Sequence, residues 1–172
     1  MTETKTLILR KANLLSFTLL LGLAVLAPLL KFQLVSGSLV NTVLFISTVI
    51  LGVQEALFIC LIPSLFALAI GLLPIALASM VPFIVTSNAI LVLIFSFLSK
   101  KNFWLGVVSA SIVKFIFLFS SSSLLVSFIS NKQAINAAAK MMSLPQLFTA
   151  LAGGLIASLI LGLLKSKKLT NI

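Results

Sequence analysis

The chain has 172 residues, 61% of them hydrophobic, with 12 basic and 2 acidic residues and a formal net charge of +10. Charged residues make up 8%, where a soluble domain typically carries about 25%, so a water-facing charged shell is excluded and an all-α integral membrane protein is expected. His and Asp are absent and Cys60 is the one cysteine, which rules out zinc hydrolysis, His-dependent triads, paired-Asp chemistry and an intrachain disulfide.

The first predicted element follows Lys5, Arg10 and Lys11 and reads "NLLSFTLLLGLAVLAPLL". Such a stretch imitates a secretory signal, with a small-residue cleavage point after Ala27. Pro28 follows directly and blocks cutting there, so a retained first helix over 13–31 is expected. A span needs about 20 largely apolar residues, and further spans are read at 36–52, 54–71, 81–99, 102–129 and 144–164. The second is the weakest, because "VSGSLVN" is a poor start and only 39–51 is densely apolar.

Basic residues orient the six. Lys5, Arg10, Lys11, Lys100, Lys101, Lys165, Lys167 and Lys168 fall at one set of span ends, against Lys31, Lys132 and Lys140 at the other. The positive-inside rule places the larger set, and with it both termini, in the cytoplasm of a prokaryotic cell. An odd number of spans would separate the terminal clusters. The expected architecture is one six-helix transmembrane domain over 1–172, multi-pass in the plasma membrane. Because the basic residues cap apolar runs rather than forming a stripe, no nucleic-acid partner is expected.

Three connections face outward: "KFQLVSGS", "LLPIALASM" and "NKQAINAAAKMMS". The last reads as a surface loop with an Ala-rich helical turn. Pro74 and Pro82 are read as stopping the third span and starting the fourth, Pro82 being tolerated in a first helical turn. The segment between them is too apolar for a free loop and is expected to fold back on the outer face. Inside, "LGVQE" makes a tight corner between the second and third spans. Glu55 is assigned a corner-capping or interface role there.

Small residues recur at four-residue spacing in Ala67/Gly71, Ala150/Gly154, Gly153/Ala157 and Ser158/Gly162. Such rows let helix backbones approach closely in lipid, either within the bundle or at a partner interface.

The polar groups inside the spans carry the functional reading. Lys114 lies about twelve residues into the fifth span, roughly 18 Å from its cytoplasmic end and near the midplane. A lysine there costs about 2.5–3.5 kcal/mol on insertion scales and faces a bundle interior or a wet cavity. Glu55 sits at the wrong depth to pair with it. Lys114 is therefore either a ligand-cavity residue or a structural hydrogen-bond hub. Asn88 and Asn41 are amides near the outer ends of the fourth and second spans, each an interhelical clamp or a pocket residue. Ser111 and Ser121 share a helix face with Lys114 by their spacings of three and seven. The five residues Asn41, Asn88, Ser111, Lys114 and Ser121 are the candidate substrate-binding set. For "SSSS", residues 120–123, the expectation is an early end to the span or an outer half that meets water or ligand.

With these motifs in place, "GSLVNTVLFISTVILG", "GLLPIALASMVPFIVTSNAILVLIF", "SIVKFIFLF" and "QLFTALAGGLIA" in that order resemble the substrate-binding S component of energy-coupling factor (ECF) transporters, over roughly residues 10–165. That resemblance implies a six-helix protein that captures a vitamin or similar micronutrient outside. It then docks with a transmembrane coupling subunit bearing two cytoplasmic ATPases, which drive release inside. It also implies no enzyme activity and no cofactor of its own, in keeping with the lack of a Walker-type loop, and it makes Asn41, Asn88 and Lys114 ligand contacts. The chain departs from the family at the Ala-x-x-x-Ala docking patch, since Ser16, Gly22, Ala24 and Ala27 lack that spacing. "GLAVLAP" is the expected docking region instead. The alternative weighed is a membrane scaffold of the cell-shape (MreD-like) type, which needs interfaces but no pocket. A proton- or sodium-driven transporter is disfavoured because it usually uses a mid-membrane carboxylate.

Overall fold

Seven consecutive residues of one helix, Asn41–Ser47, are buried, a pattern that only a helix surrounded on all sides can satisfy. This helix is the centre of the architecture. The computed structural model describes residues 2–30, 32–71, 75–126, 136, 139 and 142–170, with no strand among them. Six long helices run in order: α1 (Thr2–Leu26), α2 (Gln33–Ile50), α3 (Val53–Ala69), α4 (Val81–Leu98), α5 (Phe103–Val126) and α6 (Leu144–Thr170). Short 3-10 turns, Ala27–Leu30 and Ile75–Met80, follow α1 and precede α4.

Each stretch read as a span is largely helical over its described residues, Lys31 and the last part of the fifth reading, 127–129, lying outside them. Five are long and apolar enough to cross a membrane: Asn13–Leu30, Gln33–Ile50, Ala78–Leu98, Phe103–Ser122 and Leu144–Ser166. The apolar helix Val53–Ala69 is shorter at 17 residues, about 26 Å at 1.5 Å per residue against a hydrocarbon core of about 30 Å. The structure moves some boundaries outward: α1 begins at Thr2, α2 already at Gln33, and α6 continues to Thr170. Exposed apolar side chains such as Leu15, Phe58, Phe97, Phe119 and Leu163 stud the outside, which is compatible with a multi-pass membrane protein.

Two glycines shape the ends of α3. Gly52, at φ 112° and ψ 178°, occupies a region essentially closed to other residues and turns the chain between α2 and α3 in two residues. Its carbonyl accepts from the amide of Ala56 at 3.2 Å, opening α3. Glu55 lies in that first turn, where a carboxylate complements the helix dipole. At the other end Gly71, at φ 72°, terminates α3 in the left-handed conformation, its amide bonded to the Leu68 carbonyl at 3.2 Å. The helix thus stops ahead of Pro74, which lies outside the described residues, as do Leu72, Leu73, Lys31, Lys132, Lys140 and most of "NKQAINAAAKMMS". Pro82 does sit in the first turn of α4. The start of α5 is capped by Asn102, whose Oδ1 accepts from the amides of Trp104 at 2.8 Å and Leu105 at 3.1 Å.

Among the described residues the most extensive helix packing is α2 against α6, followed by α4 against α5. At Gly153 the backbones of α6 and α2 touch: a Cβ there would stand 2.7 Å from Cβ of Asn41 and 2.9 Å from the Ser38 carbonyl. Ala150 and Ala157 are fully buried on the same face, so these small residues serve packing within the bundle. Gly162 and Gly71 meet nothing within 4 Å and take no part in close approach. On α5 the buried positions Val107, Ser111, Lys114, Leu118 and Ser121 recur at spacings of four and three, one continuous inward stripe. At the end of the bundle bearing Gly52, edge-on aromatic pairs fill the interior: Phe45 with Phe95 at 4.7 Å, and Phe95 with Phe103 at 5.4 Å between ring centroids.

Candidate functional site

Above the aromatic layer the interior changes character. Asn41 stands one helical turn before Phe45 on α2, and Asn88 two turns before Phe95 on α4. Lys114 lies near the middle of α5 and is only 3% exposed. Its Nζ donates to Oδ1 of Asn41 at 2.7 Å and to Oδ1 of Asn88 at 2.7 Å. One ammonium thus ties three helices together through charge-assisted bonds, the stronger kind of hydrogen bond. On the far side of Asn41, Nδ2 donates to Oγ1 of Thr149 on α6 at 3.4 Å, and Thr149 in turn donates to the Gln146 carbonyl at 3.0 Å. Next to it, Oγ1 of Thr42 lies 3.2 Å from the Gly153 carbonyl, a contact possible because the glycine admits the approach.

Lys114, Asn41 and Asn88 border a cavity of about 160 Å³ at the end of the bundle where α2 and α6 begin. Gln33, Ser36, Gly37, Val40 and Asn41 supply one wall from α2, with Pro63, Ser64 and Ala67 from α3, Ile84 and Asn88 from α4, Lys114 from α5, Gln146 from α6 and Pro28 from the turn after α1. The lining mixes apolar surface with a few converging polar groups, the usual make-up of a small-molecule site. Glu55 belongs to the opposite end, beside Gly52, and no carboxylate among the described residues pairs with Lys114.

Of the residues singled out from sequence, the structure brings Asn41, Asn88 and Lys114 into one cluster and leaves Ser111 and Ser121 out of it. Both serines are buried on the inward stripe of α5, but they donate to their own helix, Ser111 to the Val107 carbonyl and Ser121 to the Phe117 carbonyl, each at 2.7 Å. Neither borders the cavity. The "SSSS" run does not end α5, which continues to Val126. Ser122 likewise bonds back to Phe119 at 2.6 Å, the standard way for a hydroxyl to satisfy itself inside a helix.

Sequence reasoning missed most of the α2 wall. Its signal was present: Gln33, Ser36, Gly37, Val40 and Asn41 stand at i, i+3, i+4, i+7 and i+8, one face of a helix. Ser36, Gly37 and Asn41, among the small and polar residues that made this span look weak, line the cavity. Pro63 and Ser64, interrupting an otherwise apolar α3, carried a second signal, since a proline inside a helix removes the amide that would bond the carbonyl four residues earlier. Thr149 and Gln146 gave none, because only the fold brings α6 beside α2. Comparison of the chain with protein-family models, with curated proteins and with solved structures finds no match.

Proposed function

We propose that this chain is a six-span membrane protein with both termini in the cytoplasm, which captures a small micronutrient from outside the cell. The cargo then passes to an ATPase-driven coupling module, as the resemblance to ECF S components implies. The observation that carries the reading is the cluster of Lys114, Asn41 and Asn88 in the wall of a cavity. A buried cation in a membrane bundle is expensive, and where one persists it faces the bundle interior or a pathway for substrate. The exposed basic residues Lys100, Lys101 and Lys165 lie at the opposite end of the bundle, so the positive-inside rule turns the cavity outward. The aromatic layer of Phe45, Phe95 and Phe103 then separates it from the cytoplasm. In this reading α3 is the sixth span, the short Val53–Ala69 helix being completed by its flanking residues. The chain performs no chemistry itself.

The test is thermal stabilisation of the purified full-length protein by a panel of vitamins and their precursors, together with mass spectrometry of small molecules that co-purify. One specific stabiliser, lost in Lys114→Ala, supports capture. No stabiliser and no co-purifying small molecule, with cell-wall proteins recovered instead, sinks it in favour of a scaffold.

A further inference from the structure

Lys114 brings a charge into a cavity wall that holds no opposing charge among the described residues, and its geometry sets which atoms face the open space. An ammonium has three donors and no acceptor, so each flanking amide has to turn Oδ1 toward Nζ, and both do. That turn commits the amide nitrogens elsewhere. Nδ2 of Asn41 reaches Thr149. Nδ2 of Asn88 has no acceptor among the described residues. Since no described side-chain nitrogen is both sealed off and unpaired, this group borders open space, and the place of Asn88 in the cavity wall identifies that space. The Asn88 amino group is thus a donor at the cavity without an acceptor among the described residues, and the third Nζ proton of Lys114 has none among them either.

We propose that the cavity takes a compact monoanion: a monocarboxylate with a body about the size of a benzene ring, its oxygens accepting from Lys114 and Asn88. This rests on the capture reading above and narrows it to a ligand class. Size follows from volume. The cavity measures about 160 Å³, and a cavity of about 150 Å³ holds benzene, whereas drug-sized ligands occupy roughly 300–1,000 Å³. Charge follows from the single ammonium. One carboxylate neutralises it, while a phosphate monoester would leave a second charge uncompensated in a poorly solvated interior. The body of the ligand meets Pro28, Val40, Pro63 and Ile84, which are apolar and line the same cavity.

The experiment measures binding of benzoate, cyclohexanecarboxylate, benzamide, benzyl alcohol and phenyl phosphate to the full-length protein in lipid nanodiscs. Both carboxylates are expected to bind at least tenfold more tightly than the other three. The variant Asn88→Asp keeps an oxygen on Lys114 but supplies the negative charge from within. It is expected to melt no lower than the parent and to lose carboxylate affinity by at least tenfold. Benzamide or benzyl alcohol binding as well as benzoate overturns the proposal, as does undiminished benzoate binding in Asn88→Asp. If no carboxylate binds while an uncharged micronutrient does, the anion class falls and the capture reading stands. If nothing in either panel binds, both fall.

Discussion

Nζ of Lys114 on α5 and Oδ1 of Asn88 on α4 stand 2.7 Å apart, and Oδ1 of Asn41 lies at the same distance on the other side. Removing the lysine strands two buried amide oxygens, whereas removing all three polar groups strands nothing. Lys114→Met alone is therefore expected to destabilise the protein by about 1–3 kcal/mol, the cost of leaving buried acceptors unsatisfied. The triple variant Asn41→Leu/Asn88→Leu/Lys114→Met is expected to recover most of that loss, as apolar replacements of buried polar clusters often do. Equilibrium unfolding in mixed detergent checks both. A triple variant that stays as unstable as the single one would show that the cluster is needed for folding.

Gly153 and Gly162 lie on the same helix in opposite surroundings. A Cβ at Gly153 meets α2 backbone at 2.9 Å, while one at Gly162 meets nothing within 4 Å. Gly153→Ala is expected to cost about 1–3 kcal/mol by overpacking and to displace Asn41. Gly162→Ala is expected to be neutral or to stabilise by up to about 1 kcal/mol through helix propensity. Melting temperatures of the two variants, measured side by side, decide it.

Phe95 touches both Phe45 and Phe103 and has no solvent exposure. Phe95→Ala is expected to cost about 3–5 kcal/mol and to extend the cavity toward the Gly52 end. Unfolding free energy reads the first effect. Binding of a small apolar probe such as xenon or benzene, absent from the parent at that depth, reads the second.

The corner at Gly52 depends on a conformation at φ 112° that an L side chain adopts only under strain. Gly52→Ala is expected to lower stability by about 1–3 kcal/mol without altering ligand affinity, because the corner lies at the end of the bundle remote from the cavity. Parallel stability and binding measurements test this. A loss of affinity larger than the change in folded fraction counts against the placement.

Cys60 is buried, with Sγ bonded to the Leu57 carbonyl at 3.0 Å, so it is expected to stay unlabelled by a membrane-impermeant maleimide. Against that silent background, Phe32→Cys is expected to label from outside intact cells and Lys101→Cys only after lysis, both parent positions being exposed. The reverse pattern would invert the proposed orientation.

Which polar residues matter was only partly readable along the chain. Serine and threonine looked as conspicuous in the spans as asparagine and lysine, yet their hydroxyls return to their own helices, as Ser47 does to Val43 at 2.6 Å and Ser111 to Val107 at 2.7 Å. The ammonium of Lys114 is too far along its stem to return to its own helix in this way, and it reaches acceptors on other elements, the Oδ1 atoms of Asn41 and Asn88. That difference in reach explains why Asn41, Asn88 and Lys114 converge while Ser111 and Ser121 do not.

The sequence by itself determined that the chain is built of apolar helices, where each falls to within a few residues at most ends, and that three side chains needed partners they did not carry. Periodicity, run length and hydrogen-bond demand are local properties, legible without coordinates. Only the tertiary structure decided that α2 is the central helix, that Gly153 admits α6 against Asn41, and that a void remains beside Lys114. Those outcomes depend on which faces meet and how closely, and helix facing is fixed by the packing of distant residues against one another.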